Sequence, residues 1–368
     1  MKFWSGNIAF AEGALKAGCR FYAGYPITPS SDLMEHMASK LPEYGGIFIQ
    51  AEDEIASVNM IIGASIAGLK SMTATSGPGF SLMQEGIGYA VMTEVPIVIV
   101  DITRLGPSTG QATKAGQGDL MQARWGRHGD QYLVVLSASS VQDCYLTAIR
   151  AFNVSEKFRV PVVVLIDELI GHLWESVEVP EEVEIIDREW TETADTPYFG
   201  GKLVPPMPKL GKGLNVLYTG STHDEWGYRK TQDPDVHRKL VSRIKRKIMD
   251  NASEIFKYRI LGEIDGDVLF VAYGSPARSC REAVIKLAEG GIKAGLILLD
   301  TLWPIDYKQL GKLVSNANKI IVPELSLGQL IYDILIVRSD NVYNYHKIGG
   351  GVPIYPNELV SYALEVLR

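Results

Sequence analysis

GIFIQAEDEIASVNMIIGASIAGLKSMTATSGPG, residues 46–79, decides the fold. GIFIQ is a short apolar run rich in β-formers, and it predicts a strand. Asp53 to Ala67 starts acidic and continues apolar, which predicts a helix with its carboxylates at the favourable end of the macrodipole. SMTAT is a second strand, and it breaks at Ser76-Gly77-Pro78-Gly79.

The same alternation extends both ways. Upstream, Asn7 to Ala17 is an amphipathic helical stretch closed by Gly18. The strand FYAGY, the turn PITPSS and a helix from Asp32 to Ser39 follow. Downstream come a helix from Ser81 to Met92, the strand VPIVIVD, a glycine-rich loop from Thr103 to about Asp119, a helix from Val141 to Lys157 and the strand VPVVVLID. Such regular alternation predicts a parallel sheet covered on both faces, here over residues 1–176. In residues 177–262 the pattern degrades. An acidic tract (EEVEIIDREWTET), prolines and the basic run RKLVSRIKRKIMD predict a connector with an embedded, solvated surface helix. Alternation resumes in residues 263–368 with VLFVAYGS, a helix from Arg281 to Glu289, AGLILLD, KIIVPE and a final helix from Asn357 to Leu367. The expected fold class is α/β, with two doubly wound parallel-sheet domains.

Composition agrees with that reading. A chain of 368 residues suggests two domains, and 46% hydrophobic with 21% charged residues is ordinary for a globular protein. A net charge of -7 gives no reason to expect nucleic-acid or anionic-membrane binding. The longest apolar runs, from Val95 and Val160, are too short for a bilayer, which needs ~20 residues. MKFWSGNIAFAEG lacks a secretory pattern, so the cytoplasm is the expected location. Cys19, Cys144 and Cys280 form no CxxC pair. Neither a disulfide framework nor a zinc site is expected, and no metal site is assigned. Iron–sulfur clusters normally take four cysteines, so none is expected on this chain.

In open α/β sheets ligands sit beyond the carboxyl ends of the strands. Four segments fall there. Tyr25-Pro-Ile-Thr-Pro-Ser-Ser31 is stiffened by two prolines and offers small hydroxyls to an anion; its structural alternative is a rigid turn with capping serines. Glu52, Asp53 and Glu54 begin a helix, and macrodipole complementarity accounts for one or two of them; a carboxylate facing the sheet edge needs a donor. Thr75–Gly79 lets backbone approach a ligand closely, as do many tight turns. Arg104, followed by Gly, Pro, Ser and Thr, suits a bidentate grip on a carboxylate, or is a solvated loop arginine. His128, Asp130 and His223 are weaker candidates; His223 has no partner at metal-ligand spacing, which favours a structural role.

Together and in order, GYPITPSS, AEDEIAS, TSGPGFSLMQEGIGYA, RLGPSTGQATK and GSTHDEWG resemble the alpha subunit of the 2-oxoacid:ferredoxin oxidoreductases, over nearly the whole chain. The first domain is also similar to the pyrimidine-binding domain of thiamine-diphosphate enzymes, in which a glutamate opens a helix and a glycine follows nine residues later. That spacing runs from Glu54 to Gly63 and selects Glu54 as the catalytic carboxylate. The second domain resembles the C-terminal domain of transketolases. The resemblance implies thiamine diphosphate held at Tyr25, Pro26, Ile27, Glu54, Ser76, Gly77, Pro78 and Gly79, and a 2-oxoacid held at Thr28 and Arg104. It implies oxidative decarboxylation, with coenzyme A taking the acyl group and electrons passing to ferredoxin. The family's GDG motif for diphosphate and Mg2+ is missing; Asp265-Gly-Asp267 opens a strand instead. The Mg2+ ligands and the iron–sulfur cluster are therefore expected on a beta subunit that shares the cofactor, with gamma and delta chains as further possible companions. GPSTG after Arg104 resembles the 2-oxoglutarate type most; pyruvate, branched-chain and aryl oxoacids are the alternatives within the family. A non-catalytic scaffold is disfavoured by the intact Thr28, Glu54 and Arg104. A nicotinamide dehydrogenase would want GxGxxG where PITPSS stands.

Overall fold

A computed structural model describes residues 1–368. Two sheets organise the chain. In the larger, the strand order is Thr301–Trp303, Val134–Ser137, Val162–Asp167, Val98–Leu105, Lys70–Thr75, Cys19–Gly24 and Ile47–Gln50. All but the Thr301–Trp303 edge run parallel. The central strands are buried along their length, as expected where helices cover both faces. The smaller sheet has the order Tyr258–Gly262, Ala294–Leu299, Val268–Ala272, Lys319–Glu324 and Val342–His346, with an antiparallel edge at Tyr258–Gly262. No helix is long and apolar enough to cross a membrane.

Most expected elements form close to their sequence bounds, and the departures have local causes. The loop expected from Thr103 is a hairpin: the strand continues to Leu105 and pairs with Gln111–Ala115, leaving Gly106–Gly110 as the turn. Arg104 is therefore a strand residue rather than a loop residue. SGPG is not only a break, because a helix starts at Gly77 with Pro78 in its first turn. Proline is accommodated there, where its missing N–H would be unpaired anyway. The helix expected from Arg281 begins at Gly274. Several short elements went unread, among them Lys2–Ser5 with its partner Trp174–Val177, and the strand Thr301–Trp303.

The largest correction concerns the basic helix of the connector, Pro234–Met249. It is not a solvated surface helix. Leu240, Ile244, Lys247 and Ile248 are buried along one face, and Lys247 is fully enclosed. Lys247 Nζ donates to Glu94 at 2.7 Å and to the Arg159 carbonyl at 2.8 Å. Arg243 forks onto the same carboxylate and also reaches the Phe199 carbonyl at 2.7 Å. Arg159, itself buried, donates to the carbonyls of Tyr198, Pro205 and Pro206. Burial pushes the Glu94 carboxyl up, but Lys247 and Arg243 outweigh it and hold it well below the usual carboxylate range. Burial in turn pulls Lys247 down to about 8. One buried carboxylate thus pins the connector to the larger sheet.

The smaller sheet is seated on the loop that follows the hairpin. Gln117 exchanges hydrogen bonds with the Leu325 backbone at 2.9 Å in both directions and donates to the Tyr273 carbonyl at 3.1 Å. Gln329 donates to the Gly118 carbonyl at 2.6 Å and accepts from Met121 N–H at 2.8 Å. Asp167, at the end of a strand of the larger sheet, accepts Ser275 N–H at 2.6 Å, where the helix Gly274–Glu289 begins.

Candidate functional site

The carboxyl ends of the parallel strands Cys19–Gly24, Ile47–Gln50, Lys70–Thr75 and Val98–Leu105 lie side by side in the larger sheet. Their following segments carry the sequence-derived candidates. Tyr25, Pro26 and Thr28 are exposed and Ile27 is half-buried in the turn after the first of these strands. Ser30 does not cap the next helix; its hydroxyl is used on the Ile27 carbonyl at 2.9 Å, which stiffens the turn.

The three adjacent carboxylates have three different environments. Glu52 is exposed. Asp53 is the N-cap of the helix Glu54–Ile66, with its Oδ1 accepting Ala56 N–H at 2.7 Å. Glu54 is only 4% exposed and has no ion-pair partner. Burial, with the charge of Asp53 added, raises its carboxyl above the usual range. Its Oε1 lies against Gly79 and Thr75 so closely that a Cβ on residue 79 would collide with both side chains. Gly63 faces open space. The glycine that makes room for the Glu54 carboxyl is therefore Gly79.

Beside Glu54, the hydroxyls of Thr75 and Ser76 are buried without a hydrogen-bond partner. Gly77 has a left-handed φ of 27°, and its N–H donates to Asp101 Oδ1 at 3.2 Å. Arg104 is 6% exposed; it donates to the Thr28 carbonyl at 2.8 Å, while its Nε is buried without a partner. The structure thus brings Thr28, Gly77 and Arg104 together, and the Gly77–Gly79 turn joins them to Glu54. Buried, unsatisfied donors cost free energy unless a ligand meets them. A carboxyl pushed by burial toward its protonated form, a cradle that any Cβ would fill and a guanidinium with a free edge suit a polar heterocycle beside an anionic group.

His128 and Asp130 lie outside this cluster. His128 is 88% exposed, 3.9 Å from Glu85. His223 is buried in the connector against the Phe199 ring, with Nδ1 at 2.8 Å from the Ser221 carbonyl. Sequence reasoning missed an acidic residue beside the site, Asp101, which accepts the Gly77 N–H. The signal for Asp101 was its position: a charged residue directly after the apolar run VPIVIV, inside a buried strand.

Comparison with known proteins defines the class first. Residues 12–243 match the family described as pyruvate flavodoxin/ferredoxin oxidoreductase, thiamine diphosphate-binding, and residues 266–359 match the core domain II of pyruvate:ferredoxin oxidoreductase. A split-gene transketolase superposes over 99% of this chain with a TM-score of 0.59 at 15% identity, which speaks for the fold alone. The chain is 52% identical over 355 residues to the 2-oxoglutarate synthase subunit KorA of Methanocaldococcus jannaschii, covering 95% of this chain and 96% of that protein. The 2-oxoglutarate:ferredoxin oxidoreductase of Magnetococcus marinus, solved with 2-oxoglutarate, coenzyme A and succinyl-CoA bound, superposes with a TM-score of 0.93 at 35% identity. All of this chain is covered in that match, which spans 65% of the Magnetococcus chain. This protein belongs to the 2-oxoacid:ferredoxin oxidoreductase family, among its alpha-type subunits.

Proposed function

We propose that this chain is the half of a two-chain 2-oxoacid:ferredoxin oxidoreductase that holds the pyrimidine end of thiamine diphosphate and the carboxylate of the oxoacid. The observation that carries the reading is the Glu54 carboxyl: buried, without a cation, and lodged against Gly79 at the sheet edge that also presents Arg104. When bound, thiamine diphosphate supplies the nucleophilic carbon that adds to a 2-oxo carbon. Glu54 holds a proton at its carboxyl and offers it to the pyrimidine ring, orienting and tuning it. The turn from Tyr25 to Ile27 and the segment from Ser76 to Gly79 form the walls of the cofactor site. Arg104 meets the oxoacid carboxylate with the edge of its planar guanidinium not used on Thr28. Thr28 adds an exposed hydroxyl beside it.

The names of the Methanocaldococcus and Magnetococcus proteins favour 2-oxoglutarate as the substrate, coenzyme A as acyl acceptor and ferredoxin as electron acceptor. We assign the Mg2+ and diphosphate ligands and the iron–sulfur cluster to a beta subunit, because this sequence has no GDG and its three cysteines are buried, separate thiols. Gamma and delta subunits join the proposed complex where they exist as separate chains. The test is co-expression with the beta subunit and a viologen-reduction assay over a panel of 2-oxoacids with coenzyme A. The complex is expected to turn over 2-oxoglutarate fastest, and the isolated chain to bind no iron and show no turnover. Stoichiometric iron or robust turnover in the isolated chain would sink the two-chain reading. A preference for pyruvate or a branched-chain acid would sink the substrate assignment alone.

A further inference from the structure

We propose that Asp101 and Asp119 share a single proton and act as a pair of positioning residues for Gly77 and Arg104. This rests on the reading above that Arg104 binds an oxoacid carboxylate. Asp101 is fully buried in the strand Val98–Leu105. One of its oxygens, Oδ1, accepts the Gly77 N–H at 3.2 Å. The other, Oδ2, is buried with no donor in reach, and the same is true of Asp119 Oδ2. The two carboxyl groups are hydrogen-bond neighbours. Two ionised carboxylates have only acceptors to offer each other, so this contact requires a proton on one of them. One shared proton satisfies both orphaned oxygens.

The backbone supports the same assignment. Asp119 occupies the N-cap position of the helix Leu120–Trp125, where an aspartate usually accepts a helix N–H, yet its side chain makes no capping bond. It turns inward to Asp101 instead. The loop that carries it is gripped on both sides by Gln117 and Gln329, so the smaller sheet fixes where Asp119 stands.

The groups facing the pair are few. Gly77 N–H comes from the turn after Lys70–Thr75, and Arg104 acts on both carboxyls from the strand that carries Asp101. The buried Tyr273 hydroxyl of the smaller sheet has no partner and feels the charges of Glu324, Asp167 and Asp119. The hydrogen bond of Arg104 goes to the Thr28 carbonyl rather than to either carboxyl, and its Nε stays free. Burial raises both carboxyls, and the charge of Asp119 adds to the rise at Asp101, while Arg104 opposes it at both. With the proton present, the pair sets one negative charge against Arg104 and leaves the guanidinium attractive to a substrate anion. Without it, a second negative charge competes with the substrate carboxylate for the same cation.

The experiment uses the complex with the beta subunit. KM for the oxoacid is expected to rise with pH once the shared proton is lost, approaching about tenfold per pH unit, while kcat changes little. Asp119→Asn supplies an N–H in place of the proton. It should hold KM at neutral pH within about fivefold of wild type and abolish the alkaline rise. Asp119→Ala should raise KM at neutral pH by about tenfold or more, so that asparagine rescues what alanine loses. Asp101→Asn is the mirror variant should position 119 not tolerate change. A second readout needs no activity: in the isolated chain at neutral pH, Asp119→Asn should remove one protonated carboxyl from the infrared spectrum. An inactive wild-type complex would overturn the functional reading, and the infrared result would still decide the pair. An active complex in which Asp119→Asn keeps the alkaline rise in KM, or a spectrum that loses no protonated carboxyl, overturns this proposal.

Discussion

Replacing the acidic residues at 52–54 one at a time separates catalysis from helix stability within three adjacent positions. Glu52 is exposed and bonds to nothing, so Glu52→Gln should stay within ~0.5 kcal/mol in stability and within a few-fold in rate. Asp53 supplies the N-cap through Ala56 N–H. Asp53→Asn keeps that bond, and Asp53→Ala should cost ~1 kcal/mol. For a chain of 368 residues the unfolding entropy is about 0.8 kcal/mol/K, so the alanine variant should melt only about 1 °C lower. Glu54 behaves differently on both counts. Glu54→Gln keeps the size of the side chain but removes the proton offered to the cofactor. Oxoacid-dependent viologen reduction by the assembled complex should fall by roughly two to four orders of magnitude. Its effect on stability has the opposite sign. Burial raises the Glu54 carboxyl above its unfolded value. Between the unfolded and folded values the native chain binds the extra proton, and the native state loses stability as pH rises through that window. Glutamine has no such loss. The isolated Glu54→Gln chain should therefore match wild type at about pH 4 and melt at or above it at pH 7–8, by calorimetry. Equal small rate effects at all three positions would falsify the assignment. So would a Glu54→Gln chain that is less stable than wild type only at high pH, since that would make the ionised carboxylate a stabilising group.

Arg104→Ala should lower kcat/KM by ~2–5 kcal/mol, as when a buried charge pair loses one partner. Arg104→Lys should recover only part of it, because an ammonium cannot hold Thr28 and a planar carboxylate at once; steady-state kinetics with unchanged cofactor affinity is the check. Gly79→Ala puts a methyl group onto Glu54 Oε1 and Thr75 Oγ1. It should cost about 1–3 kcal/mol of stability and reduce activity towards that of Glu54→Gln, which parallel melting and turnover measurements test. Glu94→Gln leaves Lys247 and Arg243 buried without their counter-charge and should cost ~3–5 kcal/mol. Glu94 is held below its unfolded value, so its contribution is present above the unfolded pKa and fades as pH falls. The gap between variant and wild type in urea unfolding should accordingly narrow below about pH 4. The double variant Glu94→Gln, Lys247→Met should recover part of the loss.

Local pattern carried the reading as far as local interactions reach. The strands Lys70–Thr75 and Val162–Asp167 and the helix Glu54–Ile66 were legible because each is set by its own run of apolar residues and its own start signal. Glu54, Thr28 and Arg104 were singled out as candidates because motif order placed them near strand ends. The rest depended on partners distant in sequence. The basic helix reads as solvated until Glu94, about 150 residues earlier, is known to lie beneath Lys247. Asp119 reads as the end of a glycine-rich loop until it is seen at the N-cap of the helix Leu120–Trp125 without a capping bond. Thr301–Trp303 is three residues long and pairs with another part of the chain, so no periodicity could announce it. The spacing from Glu54 to Gly63 picked out the one of the three carboxylates that is buried, yet the close approach falls at Gly79, two elements further on.

That short edge strand has a consequence for how the protein is made. Val134–Ser137 is fully buried, and its outer edge is completed only by Thr301–Trp303. A ribosome adding ~5–20 residues per second needs roughly ten to thirty seconds to travel from residue 137 to residue 303. During that interval the nascent first sheet carries a bare backbone ladder along Val134–Ser137, the kind of edge that templates pairing with other chains. Production of this protein is therefore expected to be sensitive to translation speed and to holding chaperones. A fragment cut in the connector should be sticky however well its cofactor face is formed.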